Sequence, residues 1–203
     1  MDTNLARSLR LLLIADHALF RGRDPVTLCR AAVAGGVTAV QLRWKGGAAR
    51  DLAALAGRLR DELAVPVFVN DRPDIALAAR AAGVHLGAED LPAAVVRRIA
   101  PQGFVIGASV GDAQEAAGSV GADYVGIGPW RETTTKADAG TALGAEGVRR
   151  LLSLVGHRPA VVIGGVRAED VREIVGLGAV GVAVGSGILG AADVTAAARA
   201  YAG

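Results

Sequence analysis

Apolar runs of strand length recur along the whole chain, and helix-like stretches separate them. The runs cover residues 11–15, 38–42, 65–69, 84–86, 104–108, 124–127, 160–163 and 180–184. Between the runs, apolar residues fall mostly three or four positions apart, as in AARDLAALAGRLRDEL, which is the spacing of a helix with one buried face. The pattern therefore predicts eight β-strands that alternate with α-helices.

The alternation of strands and helices indicates a parallel sheet. Each helix must return the chain to the same end of the sheet, and such crossovers are right-handed. Eight such units are enough to close a (β/α)8 TIM barrel, although a doubly wound open sheet has the same local pattern. No linker, low-complexity segment or run of like charges divides the sequence. We therefore expect an α/β fold, a single (β/α)8 TIM barrel that forms one domain over residues 1–203.

Composition narrows the class of protein. Hydrophobic residues make up 52% of the chain and aromatic residues only 3%, so the core must consist mainly of Ala, Val, Leu and Ile. With 22 basic against 20 acidic residues and no basic stripe, we expect neither nucleic acid nor a membrane as a partner. Cys29 is the single cysteine, and the first residues lack the features of an export signal, so a cytoplasmic location is expected.

In a TIM barrel, ligands bind at the carboxyl ends of the strands. After the second predicted strand, alternate positions of VQLRWK carry Gln41, Arg43 and Lys45, and alternate positions of an extended chain share one side. Two cations on the inward side of a barrel strand require an anion. The segment therefore predicts a polyphosphate site, with a solvated strand end as the alternative.

Carboxylates follow the third and fourth predicted strands. VNDRPD supplies Asn70 and Asp71, and HLGAED supplies Asp90. Magnesium prefers oxygen ligands and is usually held by one or two carboxylates together with substrate phosphates, so Asp71 and Asp90 are predicted Mg²⁺ ligands. For Asp90, which stands just before a Leu-Pro helix start, a helix cap is the alternative. His85 lies within an apolar run and is interpreted as a hydrogen-bonded core residue.

Three further strand ends carry groups that suit phosphate. Ser109 follows the fifth strand, where its hydroxyl can donate to an oxyanion or cap the next helix. After the sixth strand, GIGPWRETTTKADAG brings Thr133, Thr134, Thr135 and Lys136 into one polar segment, which we call the threonine loop. VVIGGV and VAVGSGIL pair glycines with helix starts after the seventh and eighth strands, where backbone N–H groups can surround a phosphate. The sequence thus predicts one diphosphate site and one monophosphate site, as in a transferase with two phosphorylated substrates.

The motifs also resemble a known family. QLRWK, VNDRPDIALAARAAGVHLGAEDLP, GASV, GADYVGIGP, TTTKADA, IGGV and VGSGI occur in the order found in thiamine-phosphate synthases, over nearly the whole chain. The resemblance implies a Mg²⁺-dependent enzyme that joins 4-amino-2-methyl-5-(diphosphooxymethyl)pyrimidine to thiazole (carboxy)ethyl phosphate, releasing diphosphate by a dissociative substitution without a covalent enzyme intermediate. Its partners would be these small phosphorylated substrates, with a homodimer as one option.

The resemblance also implies roles for individual residues. The pyrimidine diphosphate would be bound by Gln41, Arg43, Lys45, Asn70, Ser109 and Lys136. Leu42 and Trp44, from the same second strand end, would also belong to the substrate-binding set. The thiazole phosphate would be bound by Thr133, Thr134, Thr135, Gly165, Gly185 and Ser186. Arg43, Lys45, Ser109 and Lys136 would be catalytic. Asp71 and Asp90 would hold the metal.

The chain departs from the family pattern at two places. Trp44 stands where members usually have Glu, and it is expected to face away from the pocket. Residues 130–132 replace an Ile-Phe-Pro-like segment beside the threonine loop, which puts the choice of thiazole in question. A related thiazole tautomerase depends on a histidine where this chain has Gly111, so an isomerase is the less favoured alternative. A noncatalytic phospholigand-binding barrel is another, since fold does not establish function.

Overall fold

The computed structural model describes residues 3–132 and 140–203. Eight parallel strands pair in sequence order, and the first also pairs with the last, so the sheet closes into a barrel. This confirms the predicted TIM barrel and excludes the open sheet. The strands are β1 (Leu11–Asp16), β2 (Ala39–Arg43), β3 (Val67–Asn70), β4 (Gly83–Leu86), β5 (Val105–Val110), β6 (Tyr124–Ile127), β7 (Ala160–Ile163) and β8 (Gly181–Val184). Each predicted run overlaps one of them.

Helices connect the strands around the outside of the barrel. They are α1 (Thr3–Ser8), α2 (His17–Phe20), α3 (Pro25–Ala34), α4 (Ala49–Glu62), α5 (Pro73–Ala78), α6 (Ala93–Arg97), α7 (Ala113–Gly118), α8 (Gly144–Val155), α9 (Val171–Gly176), α10 (Ser186–Leu189) and α11 (Val194–Ala202), with a 3₁₀ turn at Ala168–Asp170. Asp24, Asp112 and Asp193 cap α3, α7 and α11 by accepting a backbone N–H of the first turn. None of the helices in these two ranges has both the length and the apolar character needed to cross a bilayer.

The alternation of side chains along each strand produces two buried layers. Inward-facing residues such as Leu12, Phe68 and Tyr124 pack inside the barrel. Their neighbours in sequence, including Leu13 and Val69, point outward and pack against the helices. Since both faces of every strand are covered, polar side chains are confined to the strand ends and to a few inward positions, and these are where the site lies.

The barrel closes where β8 passes the segment before β1, and glycine is required there. A Cβ on Gly181 would lie 2.2 Å from the carbonyl oxygen of Arg10 and 2.3 Å from that of Leu9. Both obstacles are backbone atoms beside the β1–β8 pairing, so they cannot move aside as a flexible side chain would.

We expect Gly181→Ala to lower the free energy of unfolding by about 1 to 3 kcal/mol, the usual cost of overpacking. Gly57→Ala is the matched control, because Gly57 lies inside α4 with open space around it. Alanine there should stabilise the protein by about 0.5 to 1 kcal/mol through its higher helix propensity. Urea unfolding of both variants measures the two effects, and a Gly181→Ala protein as stable as wild type would contradict the predicted close approach.

Candidate active site

The end of β2 brings its predicted residues to the mouth of the barrel, with the orientations that strand alternation requires. Gln41 points into the barrel and is only 4% exposed. Leu42 points the other way and is fully buried in the outer core, so only its backbone is available to a ligand at the mouth. Arg43, the last residue of the strand, is half-buried and pairs in register with Asp16 of β1.

Asp16 holds Arg43 in place, and sequence reasoning did not identify it. Its buried carboxylate forms an ion pair with the Arg43 guanidinium and also accepts the backbone N–H of Ala18 at 3.0 Å, which caps α2. The carboxylate is therefore fixed from two sides, and the guanidinium is fixed with it. The sequence did contain a signal for Asp16: it is an acidic residue that ends an apolar strand, at the carboxyl edge of the sheet where the other site residues were expected.

Lys45, Asp71 and Asp90 form a charged cluster beside Arg43. The Lys45 ammonium lies 2.5 Å from a carboxylate oxygen of Asp71, which raises the pKa of Lys45. Asp71 has a left-handed backbone, with φ of 64°, and its N–H donates to the carbonyl of His85 at 2.8 Å. Asp71 is thus anchored to the end of β4, next to Asp90.

Asp90 does not cap a helix. Its carboxylate turns back to accept the N–H of Gly87 at 2.6 Å, whereas α6 starts at Ala93 with Pro92 as a cap that offers no side-chain bond. The helix-cap alternative is therefore wrong. Partial burial raises the pKa of Asp90, the Gly87 N–H lowers it, and the nearby Asp71 carboxylate raises it again.

The carboxylate pair has the donor chemistry that magnesium prefers. Two oxygen-bearing groups lie close enough to repel each other, and a divalent cation would remove that repulsion. In the described part of the chain, no three His, Cys, Asp or Glu residues are grouped as a metal site. The remaining ligands of a magnesium ion would then be substrate phosphate and water, which is its usual arrangement with proteins.

His85 is the buried, hydrogen-bonded core residue that the sequence predicted. Its Nδ1 lies 3.0 Å from the hydroxyl of Tyr124, and its Nε2 lies 3.2 Å from the hydroxyl of Ser109. Ser109 stands near the end of β5 and is partly exposed. Asn70, at the end of β3, pairs in register with His85.

The ends of β7 and β8 form the predicted monophosphate side. Gly164 and Gly165 both have left-handed backbones, with φ of 91° and 67°. Gly185 precedes α10, and Ser186 is the first, exposed residue of that helix. A Cβ on Gly164 would lie 2.6 Å from the Cβ of Pro129, so the turn after β7 depends on glycine.

One cavity connects the two sides of the mouth. It has a volume of about 500 Å³ and is lined by Asp16, His17, Ala18, Leu19, Arg21, Arg43, Trp44, Lys45 and Ser186. Trp44 lines this cavity and stacks on His17 with ring centroids 3.9 Å apart, so the expectation that it faces away from the pocket is wrong. Cations of the predicted diphosphate site and a residue of the predicted monophosphate site therefore open into the same space. Thr133, Thr134, Thr135 and Lys136 lie outside the described residues.

Comparisons with known proteins agree with this geometry. The family described as thiamine monophosphate synthase matches residues 11–188. The thiamine-phosphate synthase of Methanoculleus marisnigri is 45% identical over 194 residues, which are 93% of this chain and 92% of that protein. The chain belongs to the thiamine-phosphate synthase family.

A second relative and a solved structure extend the comparison. The thiamine-phosphate synthase of Azorhizobium caulinodans is 46% identical over 197 residues, covering 94% of this chain and 92% of that protein. The structure of a thiamine phosphate pyrophosphorylase from Pyrococcus furiosus superposes with a TM-score of 0.86 at 37% identity, covering 98% of this chain and 96% of that one. This member of the thiamine-phosphate synthase family is an enzyme, a transferase of thiamine biosynthesis.

The departure from the family pattern after β6 has a structural role. Arg131 forms an ion pair with Asp170 through both terminal guanidinium nitrogens, Nη2 at 2.6 Å. The Asp170 side chain is 5% exposed and also accepts the N–H of Arg167 at 2.8 Å. Trp130 is buried beside it, and within the described residues its indole N–H has no hydrogen-bond partner. The start of the threonine loop is thus tied to the turn after β7.

Replacement of Arg131 by leucine should destabilise the protein in a pH-dependent way. Arg131 holds the pKa of Asp170 below its usual value, so the ion pair stabilises the fold above the unfolded-state pKa of about 3.9, and the effect is lost as pH falls through the lower folded-state pKa. We expect Arg131→Leu to lower the free energy of unfolding by about 1 to 3 kcal/mol at pH 7, the cost of leaving a buried acceptor poorly paired.

Denaturant unfolding of wild type and Arg131→Leu from pH 7 down to pH 3 measures this effect. Arg30→Leu is the control, because Arg30 and its partner Glu62 are both well exposed and such surface pairs contribute only about 0 to 1 kcal/mol. A difference between wild type and Arg131→Leu that stays constant as pH falls would show that the Asp170 ion pair is not its source.

Proposed function

We propose that this enzyme joins an aminopyrimidine diphosphate to a thiazole phosphate, giving thiamine phosphate and diphosphate, with Mg²⁺ as cofactor. The observation that carries the proposal is the single cavity lined by Arg43, Lys45 and Ser186. A reaction between two phosphorylated molecules needs both anions to be bound in one space, and this cavity joins cationic groups to the glycine-rich end of β8.

The cations would act mainly on the leaving diphosphate. Negative charge grows on the diphosphate as its bond to the pyrimidine methylene carbon breaks, so groups already aimed at it bind the transition state more strongly than the substrate. Asp16 holds Arg43 in position before any ligand arrives. The Lys45 ammonium forms an ion pair with Asp71, so a phosphate bound beside this carboxylate would also lie close to the ammonium group. Lys136 is proposed to join them from the threonine loop.

Asp71 and Asp90 would hold the magnesium ion. When bound, the ion supplies positive charge that offsets the charge of the leaving diphosphate. The backbone N–H of Gly87 and the ammonium of Lys45 keep the two carboxylates in place without it. Asn70, at the end of β3, would add an amide to the same side of the mouth.

The thiazole phosphate would be bound by Gly165, Gly185 and Ser186 together with the threonine loop. Holding each substrate by its own phosphate orients the thiazole nitrogen toward the methylene carbon, and in model systems such orientation lowers a barrier by up to roughly 7 to 11 kcal/mol. An enzyme nucleophile is not needed for this substitution. Cys29 is buried in α3, and burial raises the pKa of its thiol to about 12, so it offers no thiolate.

Diphosphate release by the purified protein tests the proposed function. The protein is mixed with the pyrimidine diphosphate, the thiazole phosphate and Mg²⁺, and each component is omitted in turn. We expect release to require all three, with thiamine phosphate as the organic product. Isomerisation of a thiazole phosphate without diphosphate release would instead indicate a tautomerase, and binding without any turnover would indicate a noncatalytic phospholigand-binding barrel.

Substitution of either carboxylate should weaken the affinity of the enzyme for Mg²⁺. We expect Asp71→Asn and Asp90→Asn each to raise the Mg²⁺ concentration for half-maximal rate by at least about tenfold, the effect of losing even an outer-sphere partner of a metal. Asp74→Asn is the control, since Asp74 is an exposed residue of α5 paired with Arg72. Equal Mg²⁺ dependence in all three variants and wild type would remove Asp71 and Asp90 from the metal site.

A further inference from the structure

A chain of polar side chains runs through the barrel interior directly below the mouth. Tyr124, the first residue of β6, is fully buried and faces inward. Its hydroxyl lies 3.0 Å from Nδ1 of His85, whose Nε2 lies 3.2 Å from the hydroxyl of Ser109. Burial raises the pKa of Tyr124, and the Gln41 side chain, also inside the barrel, lowers it. The chain of contacts therefore runs from Tyr124 to Ser109, a residue predicted to bind substrate.

Two glycines make room for this polar chain. A Cβ on Gly107 of β5 would lie 2.3 Å from Cζ of Tyr124 and 2.5 Å from Nδ1 of His85. A Cβ on Gly126 of β6 would lie 3.1 Å from Cε1 of His85. Barrel interiors are usually filled with branched apolar side chains. Here two neighbouring strands lack side chains at inward positions, which is the space that the imidazole and phenol rings occupy.

The hydrogen bonds can be given directions. Burial raises the pKa of Tyr124, so the phenol keeps its proton, and the Gln41 side chain opposes this shift. The arrangement in which the phenol proton donates to Nδ1 of His85 places the ring proton on Nε2, from which it donates to the oxygen of Ser109.

We propose that His85 and Tyr124 are positioning residues that fix the Ser109 hydroxyl as a hydrogen-bond donor toward the mouth. Because the Ser109 oxygen accepts from His85, its own proton is left to donate to an acceptor atom of the pyrimidine diphosphate. The opposite tautomer of His85 would take the Ser109 proton and turn the hydroxyl into an acceptor, which an anionic substrate would not favour. The inference rests on the proposed function for the identity of that substrate.

The tautomer of His85 can be measured without any substrate. Long-range ¹H–¹⁵N correlation spectra of the wild-type protein distinguish protonated from unprotonated ring nitrogens, and the chain has only three histidines. We expect His85 to show a protonated Nε2 and an unprotonated Nδ1. A proton on Nδ1 alone, or on both nitrogens, would overturn the proposal whether or not the protein makes thiamine phosphate. Absence of the synthase reaction would instead remove the proposed function and leave this result standing.

A double-mutant cycle tests whether the chain acts through Ser109. We expect Tyr124→Phe to keep the fold, as judged by thermal unfolding, and to lower kcat/KM about tenfold, the effect of one hydrogen bond to a charged group, mainly in kcat. In a Ser109→Ala background, the same substitution should change kcat/KM by less than about twofold, since the hydroxyl to be oriented is gone. Equal effects of Tyr124→Phe in both backgrounds would contradict the proposal.

Tyr201→Phe is the matched control for loss of a buried tyrosine hydroxyl. Tyr201 lies in α11 and donates to the carbonyl of Val166 at 3.2 Å, with no contact to the polar chain. We expect Tyr201→Phe to change kcat/KM by the same factor in the wild-type protein and in the Ser109→Ala variant. Coupling between Tyr201 and Ser109 as large as that between Tyr124 and Ser109 would show that the cycle reports general loosening of the barrel, and the proposal would fail.

Discussion

Closure of the parallel sheet determines where the polar groups of the candidate active site can lie. Each strand pairs with a neighbour on both sides, and β1 completes the circle by pairing with β8. All eight carboxyl ends therefore meet around one mouth, and side chains far apart in sequence become neighbours. The closure tolerates no side chain at Gly181, where the passing backbone is too close for a Cβ. The position of the site thus follows from the geometry of the barrel before any chemistry is considered.

Charged side chains at the mouth form two ion pairs, and one carboxylate lies beside them. Arg43 pairs with Asp16, Lys45 pairs with Asp71, and Asp90 lies beside Asp71 without a cation of its own among the described residues. These three carboxylates and two cations of the described residues leave a negative charge unpaired, and a diphosphate would add to it. A divalent cation would offset both repulsions, which is the reason for proposing the magnesium site and the diphosphate site side by side.

The sequence was sufficient for features that depend on local periodicity or on topology alone. Apolar runs located all eight strands, alternation along β2 separated Gln41 from Leu42, and parallel closure placed Lys45 near Asp71. The pairs that the sequence did not reveal join positions far apart in the chain. Asp16 is 27 residues from its partner Arg43. Tyr124 is 39 residues from His85, and Asp170 is 39 residues from Arg131. Such pairing depends on strand register and side-chain length, which no local pattern encodes.

The segment after β6, where the chain departs from the family pattern, is held in this structure largely through its backbone. Here the segment is placed by backbone hydrogen bonds, from the N–H of Trp130 to Ile163 and from the N–H of Arg131 to Gly164, at 2.8 and 2.9 Å. Any non-proline residue can donate these bonds, so the path does not depend on the side chains that differ. What the substitution adds is the tie from Arg131 to Asp170. The change therefore acts on how firmly the base of the threonine loop is held.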